Sequence, residues 1–566
     1  MEKRALLAFA LSLLVLVLWQ SFYGGLTRKP RNPAPESDHT VPTDSSATVQ
    51  PAPSASPTPR AAQAPIDPVP LESLPKEQLD LSKKPYDAWV VETPLYTARI
   101  AGTGGRLESF QLKRHRVAAD EGSPPMEMIS TRASGYLPGA VDLLHHPDWQ
   151  TSLLPFSSDA PKTIRLDGAE KHSITFSAEI PGEVRIEKVF VFSAETYSID
   201  LETRVVNLSG ENLAEQLGIS FYAAPFGTAS EENGYNTSQL TRLSQGTLED
   251  YKPKDLMKKA PTFEPPLTWV GYQNNYFLQA LVPVGEGGYR VVPRLLNESS
   301  GLVQIAYVTD PFQVGTGGVH TVPLRLYFGP KELSRLEAAG HQLQRAVDFG
   351  WFTFLAKPAL QLLKWLYNYL GNYGLAIIVL TVFIKLLFWP LTHKSFKSMQ
   401  MMKKIQPKMA QIREKYKDDR EKLNQELMML YRTYKINPLG GCLPLVLQIP
   451  VFFALYRMLY GAIELRHQPF CLWINDLTAP DRLPVGFQIP YLGGLPVLTL
   501  LMGASMFVQQ KMTPASGDPR QEKIMLMLPV VFTVFFINFP SGLVLYWLVN
   551  NILSIVQQYW INRQAS

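Results

Sequence analysis

The chain has only two cysteines in 566 residues, Cys442 and Cys471, and none earlier. A disulfide framework is therefore excluded for three quarters of its length, and any domain there must fold on an apolar core alone. That scarcity suits a Gram-negative periplasm as well as a cytosol. Catalytic signatures are missing too. There is no H-E-x-x-H, no G-x-S-x-G and no Walker loop, so metalloprotease, α/β-hydrolase and nucleotide-hydrolysis chemistry find no support. Gly102 to Arg106 is glycine-rich but lacks the Gly-Lys-Ser/Thr of a phosphate loop and reads as a tight turn between strands. His145-His146 with Asp148 has no further ligand at metal-binding spacing. No cofactor is expected, no nucleic-acid specificity, and no enzyme activity.

What the chain does have is uneven. Mean hydropathy is close to zero, but the apolar residues crowd at the two ends. Residues 1–23 carry a basic start (Lys3, Arg4) and then an apolar run from Ala5 to Tyr23, near the ~20 residues that span a bilayer. The run exits through Trp19-Gln20-Ser21-Phe22-Tyr23 with no Ala-x-Ala, so it reads as an uncleaved anchor and not as a signal peptide. Residues 24–85 are rich in Pro, Ala, Ser and Thr and too poor in apolar residues to bury a core; they read as a disordered tether.

Residues 86–335 switch to period two. Tyr197, Ile199, Leu201, Thr203 and Val205 alternate with polar neighbours, and similar runs occur at 173–180, 184–192, 301–308 and 322–328, separated by turn residues. Strands without intervening helical repeats predict an antiparallel all-β sandwich. Residues 336–370 turn helical, and an aromatic, lysine-bearing stretch from Trp351 to Tyr369 suits a membrane interface.

Five more spans are expected at 371–391, 442–463, 492–510, 524–540 and 541–561, the last two joined by Pro540-Ser541-Gly542 as a tight hairpin. Segments 464–491 and 511–523 connect them, and 562–566 is a short tail. Between the second and third spans, Lys394 to Lys435 holds twelve Lys and Arg against five acids, whereas Glu464 to Tyr491 holds two against three. The positive-inside rule puts the basic loop in the cytoplasm, hence the β domain outside and both termini inside. That loop, 392–441, is itself patterned. Met402, Ile405, Met409, Ile412 and Tyr416 recur at helical steps, as do Leu423, Leu427 and Leu430, with Lys417 to Arg420 as the turn between. An amphipathic αα-hairpin is predicted. Its methionines, Met402, Met409, Met428 and Met429 among them, either fill the hairpin seam or offer an adaptable surface to varied apolar clients.

Lys385, inside the second span, stands out because a charge at mid-bilayer costs roughly 2.5–3.5 kcal/mol and usually marks function; snorkelling of its long stem is the alternative. Thr381 on the same span, and Gln448, Gln509, Asn538, Asn550 and Asn551 on the neighbouring ones, add polar groups. Several such residues around one charge point to a shared wet cavity better than to isolated interhelical bonds.

The stretches INPLGGCLPLVLQIPVFFALYRML (436–459) and LPVVFTVFFINFPSGLVLYWLVNNILSIVQQ (528–558), with QPKMAQIREKY in the basic hairpin, closely resemble bacterial YidC insertases of the YidC/Oxa/Alb family. The order of anchor, Pro-rich tether and large β domain resembles the Gram-negative form. This likeness implies a membrane α-helical bundle of six transmembrane helices with a five-helix core, enclosing a hydrophilic groove open to cytoplasm and lipid. It also implies a mutarotase-like β domain in the periplasm. Such a protein inserts and helps fold inner-membrane proteins, alone or with the Sec translocon. Its implied partners are nascent membrane proteins, the translocon, lipids, and the ribosome and signal recognition machinery. With Arg563 the sole basic residue after Ile561, the ribosome contact of relatives with long basic tails is weakened. By the same resemblance Lys385 takes the position of the groove's basic residue, most often arginine, and Gln448 that of a groove glutamine. Thr381, Tyr546 and Trp547 fall at client-contacting positions. A secondary transporter would instead show paired halves with broken helices, and a bare scaffold would not need Lys385 or the basic hairpin.

Overall fold

The computed structural model describes residues 87–566 with Val69, Gln78 and Leu79, apart from 121, 227–235, 259, 418, 435–442, 488, 491, 513–518 and 566. The expected anchor at 1–23 and nearly all of the expected tether lie outside the described residues. The β domain's contacts nevertheless reach back into that stretch. Leu79 is buried in the domain core and its N–H donates to the Gly135 carbonyl.

Residues 88–330 form a β-rich domain. An eight-stranded sheet runs, in spatial order, through 247–251, 239–244, 269–273, 277–283, 319–330, 198–207, 184–193 and 171–180. A five-stranded sheet centred on Tyr96–Ala101 packs on it, with Trp89 edge-on to Phe176 at 5.0 Å and Phe110 against Phe328 at 5.4 Å. A four-stranded sheet contains Leu217–Ala223 and Leu302–Thr309, buried along their whole length. Ser198–Asn207 alternates between buried and half-buried positions, as its period-two sequence predicts for a strand with one face in the core. The pairing is antiparallel within the large sheet, whereas Ala88–Glu92 joins Thr163–Arg165 in parallel. Gly102 to Arg106 is the expected turn: Gly104 and Gly105 have φ of 71° and 54°, in the left-handed region that favours glycine, and a Cβ on Gly104 would run into the Ser152 carbonyl.

A helical region follows: α1 (Thr353–Leu370), α2 (Tyr373–Leu387), α3 (Trp389–Lys415), α4 (Arg420–Thr433), α5 (Leu443–Gly461), α6 (Val497–Met512), α7 (Pro519–Phe536) and α8 (Ser541–Ala565). Gly371, with φ of 63°, ends α1, and the Asn372 side chain accepts from the Leu375 N–H to start α2. α1 buries Ala356, Leu360 and Leu363 and leaves Trp351, Phe354, Trp365 and Tyr369 exposed beside it. Among the described residues no single helix is long and apolar enough to cross a membrane; α2 and α3, bent by 62° at their junction, pass by length and composition only as a pair. The reason is visible in α2 and α6, which have 15 and 16 residues against the usual ~20, and in the polar side chains that α8 carries.

The β domain meets the helices through a polar joint. Arg466, nearly buried, donates to the carbonyls of Arg116 (2.7 Å) and Val117 (2.9 Å) and lies 5.2 Å from the Phe277 ring. Lys364 of α1 bonds to Glu464 at 3.2 Å and lies 3.7 Å from Glu332. His115 and His467 sit in the same joint. Burial first, then the Arg466 charge, pushes each imidazole down to about 4; for His115, Arg114 and His467 add to this and Glu332 opposes it, and for His467, Asp476 and Asp120 oppose it. The unfolded chain, with histidines near 6.5, therefore binds more protons than the folded chain between about pH 6.5 and 4, and stability is lost as pH falls through that window. Glu464, pushed up by burial, works in the opposite direction. Faster hydrogen exchange across 110–117 and 464–470 at pH 5 than at pH 7, corrected for intrinsic rates, is the expected result. Unchanged protection would show that these imidazoles carry no such linkage.

Candidate functional site

The last helix organises the site. Asn550, Ser554 and Gln557 recur at steps of four and three, so they line one face of α8. That face meets α2 and α3. The Lys385 ammonium donates to Asn550 Oδ1 at 3.0 Å and to Ser554 Oγ at 2.7 Å, and the Ser554 hydroxyl in turn donates to the Asn550 carbonyl at 2.8 Å. Gln448 of α5 donates its Nε2 to the same Asn550 Oδ1 at 3.1 Å, so one amide oxygen receives a cation from α2 and an amide from α5. The Tyr546 hydroxyl shares a hydrogen bond with Gln448.

Lys385 is 8 % exposed, at a recess lined by Ile384, Phe388, Leu391, Thr392, Gln448 and Asn550. Its hydrogen-bond partners are neutral oxygens, and among the described residues no carboxylate comes within ion-pairing distance. A buried charge without a counter-ion is costly unless one arrives from outside or the site stays wet. Chemically, the arrangement can hold a carboxylate.

A second polar row continues along α8. Thr392 and Gln557 exchange hydrogen bonds at 2.8 and 3.2 Å, and Gln400 donates to Asn562 at 2.7 Å, both toward α3. On the other side Asn551 donates to Ser505 and Gln558 to the Met512 carbonyl of α6.

Of the residues singled out from sequence, Lys385, Gln448 and Tyr546 converge. Thr381 lies one turn from Lys385, buried, with its hydroxyl spent on the Ile377 carbonyl at 2.6 Å. Trp547 packs on Phe452 at 4.6 Å and Phe536 at 4.9 Å. Asn538 stands apart. Its Oδ1 accepts from Arg482 at 2.8 Å, at the turn between α7 and α8, away from Lys385. Sequence reasoning overlooked Ser554, Thr392 and Gln557, although the 550-554-557 spacing carried the signal.

The hairpin of α3 and α4 divides its methionines. Met409 is buried with Ile405 against Met402, Leu427, Leu430 and Tyr431 in the seam, while Met428 and Met429 are 51 % and 59 % exposed. Met402 and Met409, expected on a client-contacting surface, pack instead in the hairpin seam, because they share the helix stripe of Ile405 that faces Leu427 and Leu430.

Residues 365–566 match the family described as "60Kd inner membrane protein", and residues 88–362 match "YidC periplasmic domain". A protein named "Membrane protein insertase YidC" from Syntrophobacter fumaroxidans (strain DSM 10017 / MPOB) is 58 % identical over 566 residues, covering 100 % of both chains. One of the same name from Syntrophus aciditrophicus (strain SB) is 40 % identical over 572 aligned positions, again covering 100 % of both. A solved structure titled "Active YidC insertase crystal structure with the first transmembrane domain resolved" aligns with a TM-score of 0.35 at 19 % identity, covering 84 % of this chain and 93 % of that one.

Proposed function

Since this chain belongs to the YidC family of inner-membrane insertases, we propose that it inserts client proteins through the polar face of α8, with Lys385 receiving acidic groups of the client. The observation that carries the site is the Lys385 ammonium, held among neutral acceptors at the rim of a recess. A client segment crossing pure hydrocarbon bears the full desolvation cost of its charges and its unpaired backbone. A cation surrounded by amides and hydroxyls lowers that cost part-way across, because a carboxylate can replace Ser554 or Asn550 as its acceptor. The client's apolar helix then passes along the outward sides of the bundle into lipid. Gln448 stands beside Lys385 on the polar side of this route, and the buried Thr381 and Tyr546, with Trp547, form the wall behind it. Asn538, bonded to Arg482, belongs to its outer closure.

The topology proposed with this function has six spans, the anchor and five core helices, with both termini and the basic hairpin in the cytoplasm and the β domain in the periplasm. It rests on the charge asymmetry between 394–435 and 464–491. Met428 and Met429, exposed on the hairpin, are the residues to greet apolar clients. The Sec translocon, the ribosome and the signal recognition machinery are proposed partners, the last two engaging at the cytoplasmic side.

Purified protein in liposomes, given a short single-span client with an acidic tail, is expected to protect that tail from external protease well above empty liposomes. Protection no better than in empty liposomes would leave this chain as a folding chaperone or translocon accessory.

A further inference from the structure

Segment 464–491 does more than connect α5 to α6. Helix ends leave N–H and C=O groups without intrahelical partners, and this one segment engages the ends of four helices. At the start of α8, Ser541 N–H donates to the Ala479 carbonyl (2.8 Å) and Gly542 N–H to the Leu477 carbonyl (2.9 Å). At the end of α7, Arg482 donates to the Ile537 carbonyl at 2.8 Å. At the start of α6, the buried Asp481 carboxylate accepts the Thr499 N–H at 3.0 Å, while its other oxygen holds the Trp473 indole at 2.6 Å. Beside α2, Asn372 donates to the Phe470 carbonyl, and the Phe470 ring lies where Gly374 leaves room; a Cβ there would come 2.0 Å from it. Leu477, 1 % exposed, is wedged at Gly542, where an added Cβ would lie 3.5 Å from the Leu477 Cβ and 3.4 Å from Ile377 Cδ1. The same segment is fastened to the β domain by Arg466, whose fork spans the carbonyls of Arg116 and Val117 at the end of a strand.

We propose that this segment is the keystone of the outer end of the bundle, and that the β domain holds it shut through Arg466, a positioning residue for insertion. The inference rests on the insertase reading and deepens it: the β domain keeps the polar path closed on its own side while clients enter from the other. A guanidinium suits that role because its planar, permanently charged fork bridges two successive carbonyls.

The test uses the full chain in spheroplasts, in a Cys442→Ser, Cys471→Ser background with Ile377→Cys as reporter beneath Leu477. A membrane-impermeant maleimide is added from outside, and protease resistance of the β domain is followed in parallel. Labelling is expected to be slow in this background. It should rise at least about fivefold on adding Arg466→Ala, and likewise on adding Arg482→Gln, which cuts the helix side of the same link. Unchanged labelling with Arg466→Ala and a resistant β domain overturns the proposal. If Arg466→Ala unfolds the β domain, Arg466→Lys decides in its place: it keeps charge and stem but loses the fork, so faster labelling upholds the link and unchanged labelling ends it. Because labelling needs no client, its failure is distinguishable from a failure of the insertase reading, which the liposome experiment measures.

Discussion

Lys385→Ala is expected to slow insertion of an acidic-tailed client about 10- to 100-fold, equivalent to the roughly 1.5–3 kcal/mol of a hydrogen bond to a charged group. A neutral-tailed client should lose less than about threefold, since it never presents the carboxylate that Lys385 would receive. Lys385→Arg should keep most of the activity. The two acceptors, Asn550 Oδ1 at 3.0 Å and Ser554 Oγ at 2.7 Å, lie close enough to engage a guanidinium, though the ammonium needs no planar geometry. Initial rates of protease protection in liposomes, taken for both clients and all three proteins, decide the matter. Equal slowing of both clients would mean that Lys385 holds the helices together and does not read client charge.

The second large effect concerns stability of the β domain. Lys188 is fully buried on strand 184–193, next to the edge of the eight-stranded sheet, with its ammonium donating to the carbonyls of Gly104 and, at 2.7 Å, Gly139. Arg106, also fully buried, donates beside it to the Ser152 carbonyl, and Asp142 is close enough to bear on the lysine. Burial and then the Arg106 charge push the Lys188 amine well down from its ordinary range, with Asp142 opposing. Lys188 thus ties the Gly102–Arg106 turn to the strand at Ala140. Lys188→Ala should destabilise the domain by about 3–5 kcal/mol, since buried carbonyls lose their donor and a cavity opens. Lys188→Met, which keeps the volume, should still cost roughly 1–3 kcal/mol for the unpaired carbonyls. Denaturant unfolding of the full-length protein in detergent, followed by tryptophan fluorescence, measures both. Changes below about 1 kcal/mol in either would show that water replaces the ammonium without loss.

Local structure was legible wherever an element's own burial writes a period into it. Ser198–Asn207 alternates because one face of that strand is in the core, and the hairpin of α3 and α4 repeats at three and four because one stripe of each helix is in the seam. The break at Lys417 to Arg420 was legible for the same reason: apolar positions stop there. Leu217–Ala223 shows how such a period can mislead: Leu217, Ile219 and Phe221 alternate with Gly218 and Ser220, yet both faces of the strand are buried.

The candidate site was legible only in part. Lys385 announced itself by its charge in an apolar stretch, and Gln448 and Tyr546 came with the family resemblance. Asn538 looked equivalent to Asn550 as an isolated polar residue on a late helix. The difference is their neighbours: Arg482 beside one, Lys385 beside the other. Ser554 drew no notice because a serine on a helix is ordinary until a cation is found 2.7 Å away.

By itself, then, the sequence determined the order of a β domain and a helical region, the position of the basic hairpin, and membership of the insertase family through long matching stretches. Tertiary structure alone decided which acceptors surround Lys385, which methionines face outward, and that Arg466 fastens segment 464–491 to the β domain. The reason is range. Periodicity is set by residues three or four apart, whereas Lys385 finds Asn550 across 165 positions and Arg466 finds Arg116 across 350. Partners that distant are chosen by how whole elements pack, and no local pattern in either stretch records the choice.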